Sequence, residues 1–238
     1  VSLHANMSST GPFGEDFWQY VFFVVFAIVA AVGAVFAAIA ERKRREAFAQ
    51  LAASLNLTYV RRDDAAPHRY AVLDIMRQGD TRYAFNVLRG VYKEHPVEAF
   101  DYHYATHSTD SKGRRHTQHH YLSVFVLVHG LHFPELRIYP ENFLGRLAEM
   151  IGFDDIDFES VAFSRAFTVR SRDRKFAFDI CHARMMEYLL AHRDLRIEID
   201  GPYLALIFQQ RLRPEHVTAR LDQAVDIRNL FPQYLYKA

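Results

Sequence analysis

From Phe17 to Ala40 the chain runs for 24 residues without a charged side chain, and Gln19 is its one strongly polar interruption. At about 1.5 Å of rise per residue a helix of this length covers about 36 Å, somewhat more than a hydrocarbon core of about 30 Å. The segment therefore predicts a transmembrane helix with a modest tilt. Trp18 and Tyr20 stand at its first edge, where an interfacial aromatic belt belongs. A helix buried in a soluble protein rarely goes uncharged around its whole surface. Ala38-Ile39-Ala40 is a small-x-small triplet of the kind signal peptidase cuts, yet a signal peptide has a basic start and a shorter apolar stretch, and no Lys or Arg precedes residue 41.

Charge sets the expected orientation. Glu15 and Asp16 precede the span, and Arg42, Lys43, Arg44 and Arg45 follow it directly, so the basic end stays in the cytoplasm. The expected layout is an extracytoplasmic tail over residues 1–16, the span over 17–40 with its helix continuing to about residue 55, and a cytoplasmic domain over 41–238 in a bacterial inner membrane. The four basic residues anchor the helix against anionic lipids, at about 1 kcal/mol for each one near the surface. Ala30, Gly33, Ala34 and Ala37 recur at three- and four-residue spacing, which favours close packing on another transmembrane helix. After residue 40 there are 29 basic and 26 acidic side chains, too slight an excess to predict nucleic-acid binding. The single cysteine, Cys181, excludes an internal disulfide and a cysteine-built zinc or iron-sulfur site, and suits a reducing compartment.

Past the basic cluster, Phe48, Leu51, Ala52 and Leu55 keep the spacing of one helix face, and Leu57 to Val60 reads as a strand followed by a loop to Arg69. Alternation then marks strands at Tyr83-Phe85-Val87, Phe100-Tyr102-Tyr104 and Leu122-Val124-Val126-Val128, with a hairpin loop over Ser108 to Gln118. A short strand at Leu136 to Tyr139 and a short helix carrying Phe143, Leu147 and Ile151 follow. Val161 to Arg170 reads as a strand and Phe176 to His192 as one helix. Leu195 to Ile199 and Tyr203 to Phe208 flank Asp200-Gly201, a pair suited to a tight hairpin, and Pro214 opens a last helix with Val217, Leu221 and Val225 on one side. The order gives an α+β domain, mostly antiparallel sheet with helices packed on one face.

Chemistry is sparsely marked. Eight of the 13 histidines fall between His95 and His132. If the hairpin turns about Gly113, Asp101, His103 and His107 share a face with His119, and His107 pairs with His119. Imidazoles and a carboxylate so placed could ligate a divalent ion, whereas the bland alternative is the solvated face of a hairpin. Cys181 and His182 are neighbours about 100° apart on a helix and cannot form a catalytic pair; a buried thiol is expected. Asp154, Asp155, Asp157 and Glu159 lack the spacing of a calcium loop and read as a solvated acidic face. Neither a dinucleotide fingerprint, a P-loop nor a nucleophile elbow is present, and the span holds no ionisable residue that could ligate a haem or relay protons. No cofactor is expected.

At Phe100-Asp101-Tyr102-His103-Tyr104, and again at Phe158-Glu159-Ser160 with Phe163-Ser164-Arg165-Ala166-Phe167, the chain resembles a group of uncharacterised bacterial single-pass membrane proteins that place a basic cluster before an α+β domain. The resemblance implies this architecture and no catalytic residue. The expectation is a non-catalytic accessory subunit whose partners are other subunits of a membrane complex, photosynthetic or respiratory assemblies being the candidates. The alternatives are a stand-alone membrane-tethered interaction or lipid-sensing module, and a metal-dependent enzyme built on the histidine face.

Overall fold

Helix α1 spans Glu15–Ser54, taking in the uncharged segment and the basic cluster without a break. The computed structural model describes residues 15–141 and 155–236. The tail over 1–14, the short helix expected near Phe143 and the acidic Asp154 lie outside these residues. Contacts divide the chain into two compact units, Val1–Glu46 and Ala47–Ala238.

Within the second unit, α1 stops in a recognisable way. Asn56 takes a left-handed φ of 54°, Leu57 donates its N–H to Ala52 O at 2.8 Å, and Asn56 donates to Ala53 O at 3.2 Å. These are the paired bonds of a Schellman ending, and the apolar contact that accompanies it is supplied by Ala52 and Leu57, both buried in the core.

Six strands form one sheet: β1 (Thr58–Asp63), β2 (Asp80–Tyr92), β3 (His95–Thr109), β4 (Arg115–Pro140), β5 (Phe167–Ser171) and β6 (Arg196–Phe208). All pairings are antiparallel, in the order β1-β2-β3-β4-β5, with β6 also on β4. The helices are α1, α2 (Ala66–Arg69), α3 (Val161–Ala166), α4 (Arg174–Ile180), α5 (Ala183–Ala191) and α6 (Pro214–Leu230).

Alternation on the strands makes two cores. Val97, Ala99, Phe125, Leu127, Leu204 and Leu206 face a layer built from Phe48 of α1, Phe163 of α3, Phe176 of α4, Met185 of α5 and Val217 and Leu221 of α6. The intervening residues Phe100, Tyr102, Val124, Val126 and Ile207 point the other way. They pack under Tyr70, Leu73, Ile75 and Met76 of the segment joining β1 to β2. The main helical layer thus lies on one face as expected, and a short helical strap covers the other. Each large apolar side chain so buried contributes about 1.5–3 kcal/mol.

Three expectations are corrected. Asp200-Gly201 makes no hairpin: β6 is one strand, both halves of which pair with β4. Gly201, at φ 55°, faces a register shift in β4 between Val128 and Phe133 that contains Gly130 at φ 80°, so the pair forms a bulge that bends both strands together. The Val161–Arg170 strand begins as α3, because the Ser160 hydroxyl accepts the Phe163 N–H at 3.3 Å and caps a helical turn before β5. The helix expected over Phe176–His192 is two helices, broken where His182 turns extended and caps α5, its other ring nitrogen bonded to Leu230 O at 2.8 Å.

Glycine matters most at Gly79, where φ is +60° and a Cβ would lie 2.3 Å from Ala105 O. At Gly201 the same left-handed geometry has open space, with His132 Nδ1 nearest at 3.8 Å. Gly201→Ala is therefore expected to cost only the conformational strain, about 1–2 kcal/mol in denaturant unfolding, and Gly79→Ala distinctly more. Equal losses would show that the approach to Ala105 O is relieved at no cost.

Candidate functional site

The residues expected to anchor the chain come first along it. No part of the most apolar stretch of α1 is buried, and Trp18 and Tyr20 are 63% and 73% exposed at its start. Ala30, Gly33, Ala34 and Ala37 are exposed along the same helix. In the basic cluster Arg42 donates to Glu46 at 2.8 Å, and Arg45 lies 3.8 Å from Glu41, each one turn away. The exposed Arg42–Glu46 pair adds only a few tenths of a kcal/mol. Lys43 and Arg44 complete the cluster.

On the hairpin, the expected face is formed with a different register. His107 lies opposite Thr117, and His119 lies opposite Ala105. The two-residue slide keeps every side chain on its face while moving His107 out of reach of His119. His103 Nε2 meets His119 Nδ1 at 3.0 Å, and His103 Nδ1 meets Thr81 O at 3.0 Å. His107 is instead held by Thr117 Oγ1 at 2.9 Å and Asp80 at 3.2 Å. Burial, the largest influence, lowers the His103 pKa, against the pull of the Thr81 carbonyl. Asp101 is fully buried, accepting the Leu212 N–H at 2.6 Å and the Asn86 side-chain amide at 2.8 Å. Among the described residues no group of three or more His, Cys, Asp or Glu side chains is placed to hold a metal ion. Asp101 is spent on structure and His107 on a separate pair, so the proposed quartet is not brought together. Cys181 is buried in the helical core, where burial pushes the thiol pKa far up, and His182 caps α5.

The structure assembles a different site. Where β6 runs through residues 209–213 into α6, a cavity of ≈ 320 Å³ opens, with Arg193, Arg196, Arg211, Arg213, Arg220 and His216 on its walls. Phe125, Ile207, Phe208 and Leu212 supply its apolar part. Arg220 lies across the Phe208 ring at 3.9 Å and pairs with Asp194 at 2.6 Å. Arg211 sits 5.1 Å above Phe85 and 4.0 Å from Asp101. The bond from Asp101 to Leu212 N–H reaches across 111 residues to fix the loop between these arginines. Sequence reading missed the cleft because the near-balanced net charge hides a local cluster; the signal was Arg211-Leu212-Arg213-Pro214, two arginines abutting a helix start.

No protein-family model matches the chain, and no curated protein matches it. Among solved structures, that of the mycobacterial trehalose monomycolate transport factor A, TtfA, shares the fold, with a TM-score of 0.58 and 13% identity over 80% of this chain and 95% of that one.

Two outcomes follow. Asp101→Ala strands two buried donors, which costs about 1–3 kcal/mol each, so unfolding should show a loss of several kcal/mol; a change under about 1 kcal/mol would mean that water takes over both bonds. His129, stacked on Phe133 at 4.6 Å with Nε2 lacking a partner among the described residues, has its pKa pushed down to about 4 by burial and, secondarily, by Arg228. In the unfolded chain it titrates near 6.5, so the folded state binds fewer protons between these values and stability falls as the pH drops from about 6.5 to about 4. His129→Phe should flatten this part of the pH–stability curve, and an unchanged slope would assign the acid sensitivity elsewhere.

Proposed function

We propose that this chain is a non-catalytic accessory subunit, fixed in a bacterial inner membrane by α1 with its N-terminal end outside and its α+β domain in the cytoplasm, where it braces a membrane protein complex. The observation that carries the reading is the long, uncharged stretch of α1, its most apolar part wholly unburied, in a chain whose domain cores are otherwise well buried. Left in water, such a surface would be a severe aggregation liability; in lipid, beside a second helix at Ala30, Gly33, Ala34 and Ala37, it is satisfied. The basic cluster then lies at the anionic leaflet and supports this orientation.

The fold supports a partner class. TtfA is described as a transport factor, and a chain of the same fold with a membrane helix suits an assembly that moves material across or along a membrane. Photosynthetic and respiratory complexes, the candidates raised on general grounds, draw no support from this likeness. The subunit's contribution is buried interface and helix packing.

Native purification in mild detergent, followed by mass spectrometry, tests the reading. Other membrane proteins travelling with the chain at fixed stoichiometry are the expected outcome. Recovery of the chain alone, or digestion of its domain by protease added to intact spheroplasts, would overturn the subunit role or the orientation respectively.

A further inference from the structure

The cleft at the β6–α6 junction holds more positive charge than its own carboxylate balances. Five arginines and His216 share the ≈ 320 Å³ space with one acid, Asp194. Two of the arginines are matched: Arg220 meets Asp194 at 2.6 Å, and Arg196 meets Glu198 at 2.6 Å inside the core. Arg211 reaches Asp101 only at 4.0 Å, and that carboxylate already serves Leu212 and Asn86. Arg193 and Arg213 form no ion pair among the described residues. The N-cap Arg213 and the first-turn His216 of the 17-residue α6 line the same space, beside the positive end of the helix, with Glu215 in that turn outside the lining.

Like charges gathered in a concave site raise the local potential and draw in an anion. Three guanidinium groups offer many more donors than the two oxygens of a carboxylate can accept. A phosphate group, with its additional terminal oxygens and higher charge, matches forked donors approaching from several sides. The loop that carries Arg211 and Arg213 is already pinned by the buried Asp101, so little order has to be gained on binding.

We propose that this cleft binds a phosphate-bearing anion, held by Arg193, Arg211 and Arg213. The phosphate belongs either to the headgroup of an anionic lipid or to a soluble compound; its recognition chemistry is the same. The inference rests on the cleft alone and is independent of the accessory role.

The test uses the full chain in phosphatidylcholine nanodiscs at low ionic strength, titrated by calorimetry with inorganic phosphate and, separately, with short-chain phosphatidylglycerol. The comparison is Arg193→Gln/Arg213→Gln. Both side chains are exposed; Arg213 makes no capping hydrogen bond to α6, Arg193 gives only its Nε–H to Leu190 O at 3.3 Å at the end of α5, and Arg213→Gln alone serves if the double variant fails to fold. Saturable binding of one equivalent, weakened roughly tenfold or more by the substitutions, is expected. Binding of inorganic phosphate with that loss assigns the site to the phosphate group itself and admits a soluble ligand. Binding of phosphatidylglycerol alone, with the same loss, assigns it to a lipid headgroup. Saturation by neither probe, or binding that the variants leave unchanged, overturns the proposal, the second outcome placing the anion at the basic cluster of α1.

Discussion

A buried backbone must have its amides and carbonyls paired on both sides, and β4 is where this fold meets that demand. Residues 123–127 lie between β3 and β6, and residues 136–138 lie between β6 and β5. A single strand long enough to serve three neighbours has to bend, because strongly twisted strands cannot run on flat. The bulges at Gly130 and Gly201 provide the bend in register, one on each strand of the same pair. The two cores and the cleft are consequences: bending β6 leaves its end and the following loop to be tied down elsewhere, and Asp101 does so.

Buried charge is handled the same way throughout the domain. Glu198 accepts from Arg196 at 2.6 Å, from the Ile75 N–H at 3.1 Å and from Tyr139 at 3.2 Å, joining β4, β6 and the strap over the second core. Glu98 and Asp63 share Arg89 and Arg69 at the β1–β2–β3 edge. Such carboxylates are retained at the cost of desolvation and contribute specificity of arrangement. Against that pattern, the cleft stands apart because two of its arginines, Arg193 and Arg213, form no ion pair among the described residues.

Much of this was readable from residues. The uncharged run, the period-2 alternation of Phe100-Tyr102-Tyr104 and Leu122-Val124-Val126, and the Pro214 helix start all led to the elements observed. What escaped was decided by long-range contacts or by turns lacking their usual residues. The β2–β3 hairpin turns on Lys93 and Glu94, both left-handed at φ 44° and 68°, where Asn or Gly would have announced it. Asp200-Gly201 carries the signal of a hairpin, but β4 pairs with both flanking segments and makes it a bulge. His182 interrupts what looks like one helix because its ring is drawn to Leu230. The face of Asp101, His103 and His119 was legible from parity alone, whereas their contacts depended on a register that no local pattern sets. The cleft joins four separate stretches of the chain, around Phe125, Pro140, Arg193–Arg196 and Ile207–Arg220, which no local pattern links.

The place of β6 in the chain bears on how the protein comes into being. Residues 122–128 of β4 form an apolar edge, Leu-Ser-Val-Phe-Val-Leu-Val, whose partner in β6 does not leave the ribosome until about eighty residues later. Until then this segment has the composition of a template for cross-chain strand addition, and Asp101 beside it still awaits the Leu212 N–H. Under the proposed anchoring by α1, each nascent chain is confined near its neighbours on the same surface. The interval before β6 arrives is thus the time when a chaperone, or a partner subunit bound to that edge, would do most for the yield of folded protein.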